Sequence, residues 1–400
     1  MTEALQGLRV LDLARLGPGM YGSMLLADFG ADVLMVEIPP GAVPRFDAQG
    51  GGDPEAAAQA ERQIATNAFR RNKRSIAINL REPEGLELFY RLVDEADVVL
   101  DGFRPGVTER LGIDYATLSA RNPRIITGTL SGYGRTGPYA QMAGHDINYI
   151  SIGGALGMIG GADGKPVMPL NLVADFGGGG LLLAFAVLLA VQARERSGRG
   201  QDIDLAMSDG VTSLLSMQIS RMFNVGKPPP SRGEHPLGGG RCFYNVYQCA
   251  DGKWISVGAI EAYFFEALCR GLGHEEFIPH QHDDDRQQEM MDAFAATFLT
   301  RPRDEWFAVL GEADACLTPV LDLDEMAADP HVRERGLVET IEDPEAGMVE
   351  QVGVAPRLLG TPGEVRLPSA RLGEHTDDVL GSLGLEAARI AELRGRGVVA

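Results

Sequence analysis

The 400-residue sequence is poor in the features that staple a secreted or metal-bearing fold. Its four cysteines, Cys242, Cys249, Cys269 and Cys316, form no C-x-x-C pair and have no histidine at zinc-ligand spacing, so free thiols and cytoplasmic residence are expected. Basic charge is scarce as well. With 36 Lys and Arg against 56 Asp and Glu the formal net charge is -20, which argues against nucleic acid and against an anionic membrane as partners. Residues 1–7 lack the basic and apolar regions of a signal peptide. The longest uncharged apolar run, Phe176 to Gln192, contains four glycines and is too short for a convincing membrane span, so a buried helix is expected there. Tandem repeats and extended low-complexity tracts are missing too. What is present is 44% hydrophobic residues over a length that fits two domains or one large elaborated one.

The chain opens with a β-rich run, Leu8 to Leu13, then a helical pattern from Met20 to Phe29 ended by Gly30, then Val33 to Val36. This β-α-β start predicts a Rossmann-like parallel sheet with helices on its faces. Gly17, Gly19 and Gly22 give the G-x-G-x-x-G spacing of a dinucleotide site. Pro18 inside that turn, and the want of a hydride-transfer set, speak against it. Further strands are expected at Ser75 to Asn79, Asp97 to Leu100, Ile125 to Leu130 and Asp202 to Leu205, with helices from Pro83 and from Tyr115. Residues 1–205 are thus expected to form the first part of a large α/β domain and 206–240 a linker. Residues 241–325 should form a small α+β domain opening on a hairpin, Tyr244 to Tyr247 and Trp254 to Val257. Residues 326–400 should return to the large domain, ending in a tail, Val354 to Ala400, of mixed strands and a last helix.

Two titratable residues stand where apolar runs meet glycine-rich turns: His145 in Gly144-His145-Asp146-Ile147-Asn148-Tyr149, and Asp175 just before Gly177 to Gly180. A histidine and a carboxylate sharing a cleft can divide acid and base roles; a structural histidine and a helix cap are the plainer readings of each. The glycines are expected to permit close helix packing and to turn backbone N–H groups, that of Asp175 among them, toward a developing anion. Four cations within Arg70-Arg71-Asn72-Lys73-Arg74 form either an anion site or a solvated basic turn. Arg104, in a loop after a strand, is well placed for a phosphate.

These stretches together resemble the class III CoA-transferase superfamily, and within it the α-methylacyl-CoA racemases. The resemblance rests on Gly7-Leu8-Arg9-Val10-Leu11-Asp12-Leu13, Asn72-Lys73-Arg74-Ser75, Phe103-Arg104-Pro105-Gly106-Val107, Ser131-Gly132-Tyr133-Gly134, Gly198-Arg199-Gly200-Gln201, Thr318-Pro319-Val320 and Gly373-Glu374-His375-Thr376. The racemase branch is favoured by the hexapeptide around His145, by Pro169 to Asp175, and by Val257-Gly258-Ala259-Ile260-Glu261. The resemblance implies His145 and Asp175 as paired acid and base, with Glu261 orienting the histidine. It implies an acyl-CoA thioester substrate, no metal or redox cofactor, and an interlocked homodimer in which Glu261 comes from the other chain. In the transferase branch the aspartate is instead a nucleophile. A non-catalytic acyl-CoA-binding subunit is a third reading. The residues given to CoA or substrate are Arg45, Arg71, Lys73, Arg104, Arg110, Gly134 and Tyr149. Arg45 stands in for the Arg-Pro that family members carry where this chain has Ile38-Pro39-Pro40, and Ala262-Tyr263 replaces a Pro-Gln pair. Several methionines, Met142 and Met207 among them, are candidates for an adaptable acyl pocket or for core packing. His235 and His375 are taken as structural or lid residues.

Overall fold

The computed structural model describes residues 3–41, 54–161 and 163–400. Six parallel strands form one sheet: β1 (Arg9–Asp12), β2 (Asp32–Glu37), β3 (Lys73–Ala77), β4 (Val98–Asp101), β5 (Ile126–Ser131) and β6 (Asp202–Ala206). Their order is β3-β2-β1-β4-β5-β6. Each lies within two residues of the run expected from the sequence. Both faces of such a sheet are covered, so its central strands are apolar without alternation. Val33 to Val36 and Val98 to Leu100 are all buried, and Leu11 pairs in register with Leu34 on one side and Val99 on the other. A core of Phe89, Leu92, Val93, Leu380, Ile390 and Leu393 joins the helices Pro83–Val93, Thr376–Ser382 and Ala387–Gly395 to this sheet.

A long helix runs from Leu172 to Ser197, π-helical over Leu172–Leu181 and α-helical from Leu182. It begins three residues before Asp175, which therefore sits inside the first turn rather than ahead of the helix. By length and composition alone it could cross a membrane. Leu183, Val187 and Ala190 are nonetheless buried beside β5, whereas Leu181, Phe185 and Leu189 are more than half exposed. The expected buried helix is thus buried on one face only. The glycines do permit close packing. A Cβ at Gly180 would lie 2.4 Å from the Pro18 carbonyl oxygen of the helix Gly17–Asp28, and one at Gly210 would lie 2.0 Å from that of Gly178. The G-x-G-x-x-G spacing has the same cause, since Gly22 faces the Gly180 carbonyl at 2.8 Å from an added Cβ.

The described chain divides into two compact units. One holds the residues up to Gly153, Asn171–Leu214 and Pro330–Ala400; the other holds Gly154–Leu170 and Leu215–Asp329. This differs from the expected boundaries in three places. The segment expected as linker begins with a helix, Met207–Leu214, packed on the π-helix and so part of the first unit. Gly154–Leu170 joins the second unit, where Arg232 donates to the carbonyls of Gly157 and Gly164 at 2.8 and 2.6 Å. The chain returns at Pro330, and its strands are an antiparallel hairpin, Val338–Asp343 with Gly347–Val352, ahead of the expected tail. Within the second unit the expected hairpin is present as β7 (Tyr244–Gln248) and β8 (Trp254–Gly258), joined by β9 (Leu317–Pro319) and covered by helices around Phe265, Phe294, Phe298 and Trp306.

The basic cluster is neither an anion site nor a solvated turn. Arg70 pairs with Glu37 at 2.7 Å, Arg71 with Asp28 at 2.7 Å, Lys73 with Asp12 at 3.2 Å and Arg74 with Asp32 at 2.8 Å. Arg71 and Lys73 are fully buried, and burial pushes the Lys73 ammonium pKa down against the pull of Asp12. The Arg71 guanidinium also donates to the Val352 carbonyl, and the Asn72 side-chain oxygen accepts from the Arg366 and Leu367 amides at 2.6 and 2.9 Å. The cluster therefore ties the returning C-terminal segment to the sheet. Removing one partner of such a pair leaves a buried charge. Arg71→Met should lower the unfolding free energy by about 3–5 kcal/mol in a denaturant titration. A loss below about 1 kcal/mol accompanied by weakened CoA binding would return Arg71 to the ligand.

Candidate active site

In a sheet of this order the ligand crevice lies at the carboxyl ends of the strands, where the winding reverses between β1 and β4. A cavity of about 610 Å³ occupies that place, lined by the turns after β1, β4 and β5 and by His145, Tyr149 and Met207. A larger cavity, about 1170 Å³, lies wholly in the second unit and is lined by neither His145 nor Asp175; the smaller one is lined by His145, though Asp175 is not among its lining residues, and we place the chemistry there.

His145 is exposed and stands immediately before the helix Asp146–Ile152, its backbone N–H donating to the Asn148 side-chain oxygen at 3.1 Å. The next residue points the other way. Asp146 is 4% exposed, and its Oδ2 accepts from the backbone N–H groups of Ala174 and Asp175 at 2.7 and 2.8 Å. A carboxylate at a helix start both satisfies free amides and meets the positive end of the dipole. Because Asp146 is adjacent to His145 in sequence, this one side chain binds the histidine turn to the turn that carries Asp175.

Asp175 is half-buried, and burial raises its pKa. The Asn171 side-chain N–H, donating at 3.1 Å, and the nearby His145 oppose that rise, while Asp146 adds to it. His145 is the smallest of these influences on Asp175. One expectation is corrected here: the Asp175 N–H is already taken by Asp146, so it is not a free donor for a developing oxyanion.

The remaining expected residues separate. Arg104 lines the cavity, exposed and with no carboxylate within 4.0 Å among the described residues. Arg110 lines a neighbouring cavity of about 320 Å³. Tyr149 also borders the main cavity, but as a wedge. Its ring fills the space over Gly132 and Gly144, where an added Cβ would come within 2.3 and 2.6 Å, and its hydroxyl donates to the Gly144 carbonyl. Burial pushes the Tyr149 pKa up to about 12. Gly134, at φ 83°, turns the loop after β5, its N–H donating to the Ser131 hydroxyl at 3.0 Å. Arg71 and Lys73 are in the core pairs described above and do not reach the cavity; Arg45 lies outside the described residues. Glu261 belongs to the second unit, where it is exposed and immediately precedes the helix Ala262–Leu272. Met142 and Met207 line the cavity. His235 and His375 accept backbone N–H groups from Leu237 and Ser75 and are structural.

Asp101, at the end of β4, was not anticipated. Its carboxylate accepts from the Phe103 N–H and the Thr129 hydroxyl, both at 2.9 Å, and so shapes the loop that presents Arg104. The sequence offered a signal, an acid ending a strand ahead of Gly102.

With the geometry in place, the comparisons assign the class. The chain belongs to CoA-transferase family III, whose model matches residues 5–376. It is 37% identical to the human alpha-methylacyl-CoA racemase over 99% of this chain and 97% of that one. It is 34% identical to a succinyl-CoA–D-citramalate CoA-transferase of Chloroflexus aurantiacus over 99% and 98%. Among solved structures it resembles a CaiB/BaiF family protein from Brucella suis, with a TM-score of 0.78 and 28% identity over 96% of this chain and 100% of that one.

Burial lifts the Asp101 pKa to about 6 from an ordinary 3.8, outweighing the two hydrogen bonds. A carboxyl whose pKa is higher in the folded state binds more protons there, so stability falls as pH rises from about 4 to about 6. Asp101→Asn, which carries no such charge, should gain on the wild type by about 3 kcal/mol between pH 4 and pH 7 in denaturant midpoints. An unchanged difference across that range would rule out the shift.

Proposed function

We propose that this chain is an α-methylacyl-CoA racemase, interconverting the two hands of a 2-methylacyl-CoA thioester. The observation that carries the reading is that the Asp146 carboxylate ties the turn carrying Asp175 to His145, which lines a crevice in a CoA-family fold. The thioester carbonyl acidifies the C2 proton, because the charge left behind spreads onto oxygen. Inversion at C2 requires a proton to leave one face and another to arrive at the opposite face. Neutral His145 takes the proton from one hand of substrate, and the enolate receives one at C2 from protonated Asp175. The enzyme is then left with an imidazolium and a carboxylate, the state that serves the other hand.

The environment of Asp175 favours this use over nucleophilic attack. Burial and Asp146 both raise its pKa, and a carboxyl held toward its protonated form is a better proton donor than a nucleophile. Glu261, which orients the histidine in the resemblance, is an exposed residue of the second unit. The proposed homodimer would bring Glu261 of the partner subunit to His145. The half-exposed Phe185 and Leu189 of the long helix are apolar surface that a second copy would cover.

NMR of a single-enantiomer 2-methylacyl-CoA in D₂O follows both loss of the C2 proton and appearance of the other enantiomer. Wild-type protein should show both, and His145→Ala and Asp175→Ala should each reduce exchange by at least about 100-fold. Exchange that survives His145→Ala, together with CoA transfer to an added carboxylic acid and a hydroxylamine-sensitive intermediate on Asp175, would overturn the reading in favour of a transferase.

A further inference from the structure

Between the His145 turn and the Asp175 turn the chain leaves the first unit and comes back. It crosses out between Gly153 and Gly154 and returns between Leu170 and Asn171. Both crossings are made in the left-handed region, with Gly154 at φ 91° and Leu170 at φ 55°. The arm between them is pinned, by the Val167 N–H on the Ile159 carbonyl at 3.1 Å and by the Arg232 guanidinium on the carbonyls of Gly157 and Gly164. Glycine takes such a φ freely, whereas a leucine takes it at a cost. Leu170 is 77% exposed, so packing of its side chain does not offset that cost. What the turn sets is the residue that follows it. Among the described residues the one hydrogen bond to the Asp175 carboxylate comes from the Asn171 side-chain N–H, at 3.1 Å on Oδ2. Neither Asn171 nor the described part of the arm lines the crevice, so their effect on the chemistry passes through Asp175.

We infer that Asn171 is a positioning residue for Asp175 and that the left-handed turn at Leu170 is kept because it aims the Asn171 side chain. The inference rests on the racemase reading above. A bond to Oδ2 fixes the rotation of the carboxyl group and leaves Oδ1 for the C2 proton. It also bears on the protonation state, because a donor at a carboxylate favours the ionised form, whereas burial and Asp146 favour the neutral one. In a two-base reaction Asp175 holds a proton for one hand of substrate and lacks it for the other, so neither influence can be left unopposed. The titratable groups on the packed elements are His145, Asp146 and Tyr149 on the histidine turn and its helix, Tyr21 and Asp28 on the helix Gly17–Asp28, and Asp209 on the helix Met207–Leu214. The long helix itself carries no further charge before Arg194. Of all these only Asp146 and His145 act on Asp175, in opposite senses, and Asn171 outweighs both.

Exchange of the C2 proton of a 2-methylacyl-CoA, followed by NMR across pH in the full chain and its variants, tests this. Asn171→Ala removes the donor, so the Asp175 carboxylate takes up its proton at a higher pH. The acid limb of the exchange profile should therefore move to higher pH, with exchange slowed about 3- to 10-fold and KM unchanged. Asn171→Gln, which keeps the amide donor on a longer stem, should recover part of the loss. Leu170→Gly accepts the left-handed turn and should keep the wild-type profile, whereas Leu170→Val resists it and should shift the limb as Asn171→Ala does. An unmoved limb in Asn171→Ala overturns the inference. So does loss of exchange in Leu170→Gly with Leu170→Val spared, which would make the leucine side chain the working part. Both positions are exposed, and circular dichroism checks that the variants are folded. A wild type that exchanges no C2 proton loses the racemase reading, and the positioning is then tested alone by carbon NMR of the Asp175 carboxyl, identified as the signal missing from Asp175→Asn. That carboxyl should titrate at higher pH in Asn171→Ala than in the wild type, and coincident curves overturn the inference.

Discussion

The two N–H groups donated to Asp146 are the constraint on which the site depends. Without that carboxylate the Ala174 and Asp175 amides at the start of the 172–197 helix would lose the side chain that ties them to the His145 turn. The bond does more than position. It places a buried negative charge beside Asp175 and so raises the pKa of that carboxyl, while using up the very amide that the sequence offers as an oxyanion donor. One oxygen of Asp146 is fully committed, and the other is buried with no protein partner among the described residues. Burying such an atom carries a desolvation cost, which the two amide bonds to its partner oxygen offset.

Charge in the first unit is sorted by pairing. Asp12, Asp28, Asp32 and Glu37 each neutralise one cation of the 70–74 cluster, and the pairs lock β1, β2 and β3 to the helix Gly17–Asp28 and to the C-terminal return. At the carboxyl ends of the strands the arginines at 15, 81, 104 and 110 have no such partner among the described residues. Basic residues therefore divide into those that build and those left to bind. Proximity in sequence does not separate the two: Arg81 lies only seven residues beyond Arg74.

That division explains what could be read in advance. The strands of the sheet were legible within two residues because a buried parallel strand announces itself as an unbroken apolar run between turns. His145 and Asp175 stood out as polar residues interrupting apolar stretches. Arg71 and Lys73 were misread because the carboxylates that neutralise them lie 43 and 61 residues away, beyond the range of any local pattern. Asp146 was passed over for a related reason. Its partners are the amides of Ala174 and Asp175, and backbone groups leave no mark in composition. The unit boundary at Gly154 likewise depends on Arg232, whose carbonyl partners sit 68 and 75 residues earlier in the chain.

The glycines connect packing to chemistry. Four in succession, Gly177 to Gly180, form the wider turns of the π-helix, and side chains there would strike the carbonyls of Pro18 and Ala174 or the amide of Val211. Close approach on two sides fixes where the helix begins and how it is rotated. Its first turn then brings the Ala174 and Asp175 amides to Asp146 and leaves the Asp175 side chain half-buried near His145. Larger residues at these positions would push the helix from its neighbours and move Asp175 with it. The glycine run, expected from the sequence to permit close helix packing, is tightly packed, and its glycines are there for want of room, with none of the four at positive φ.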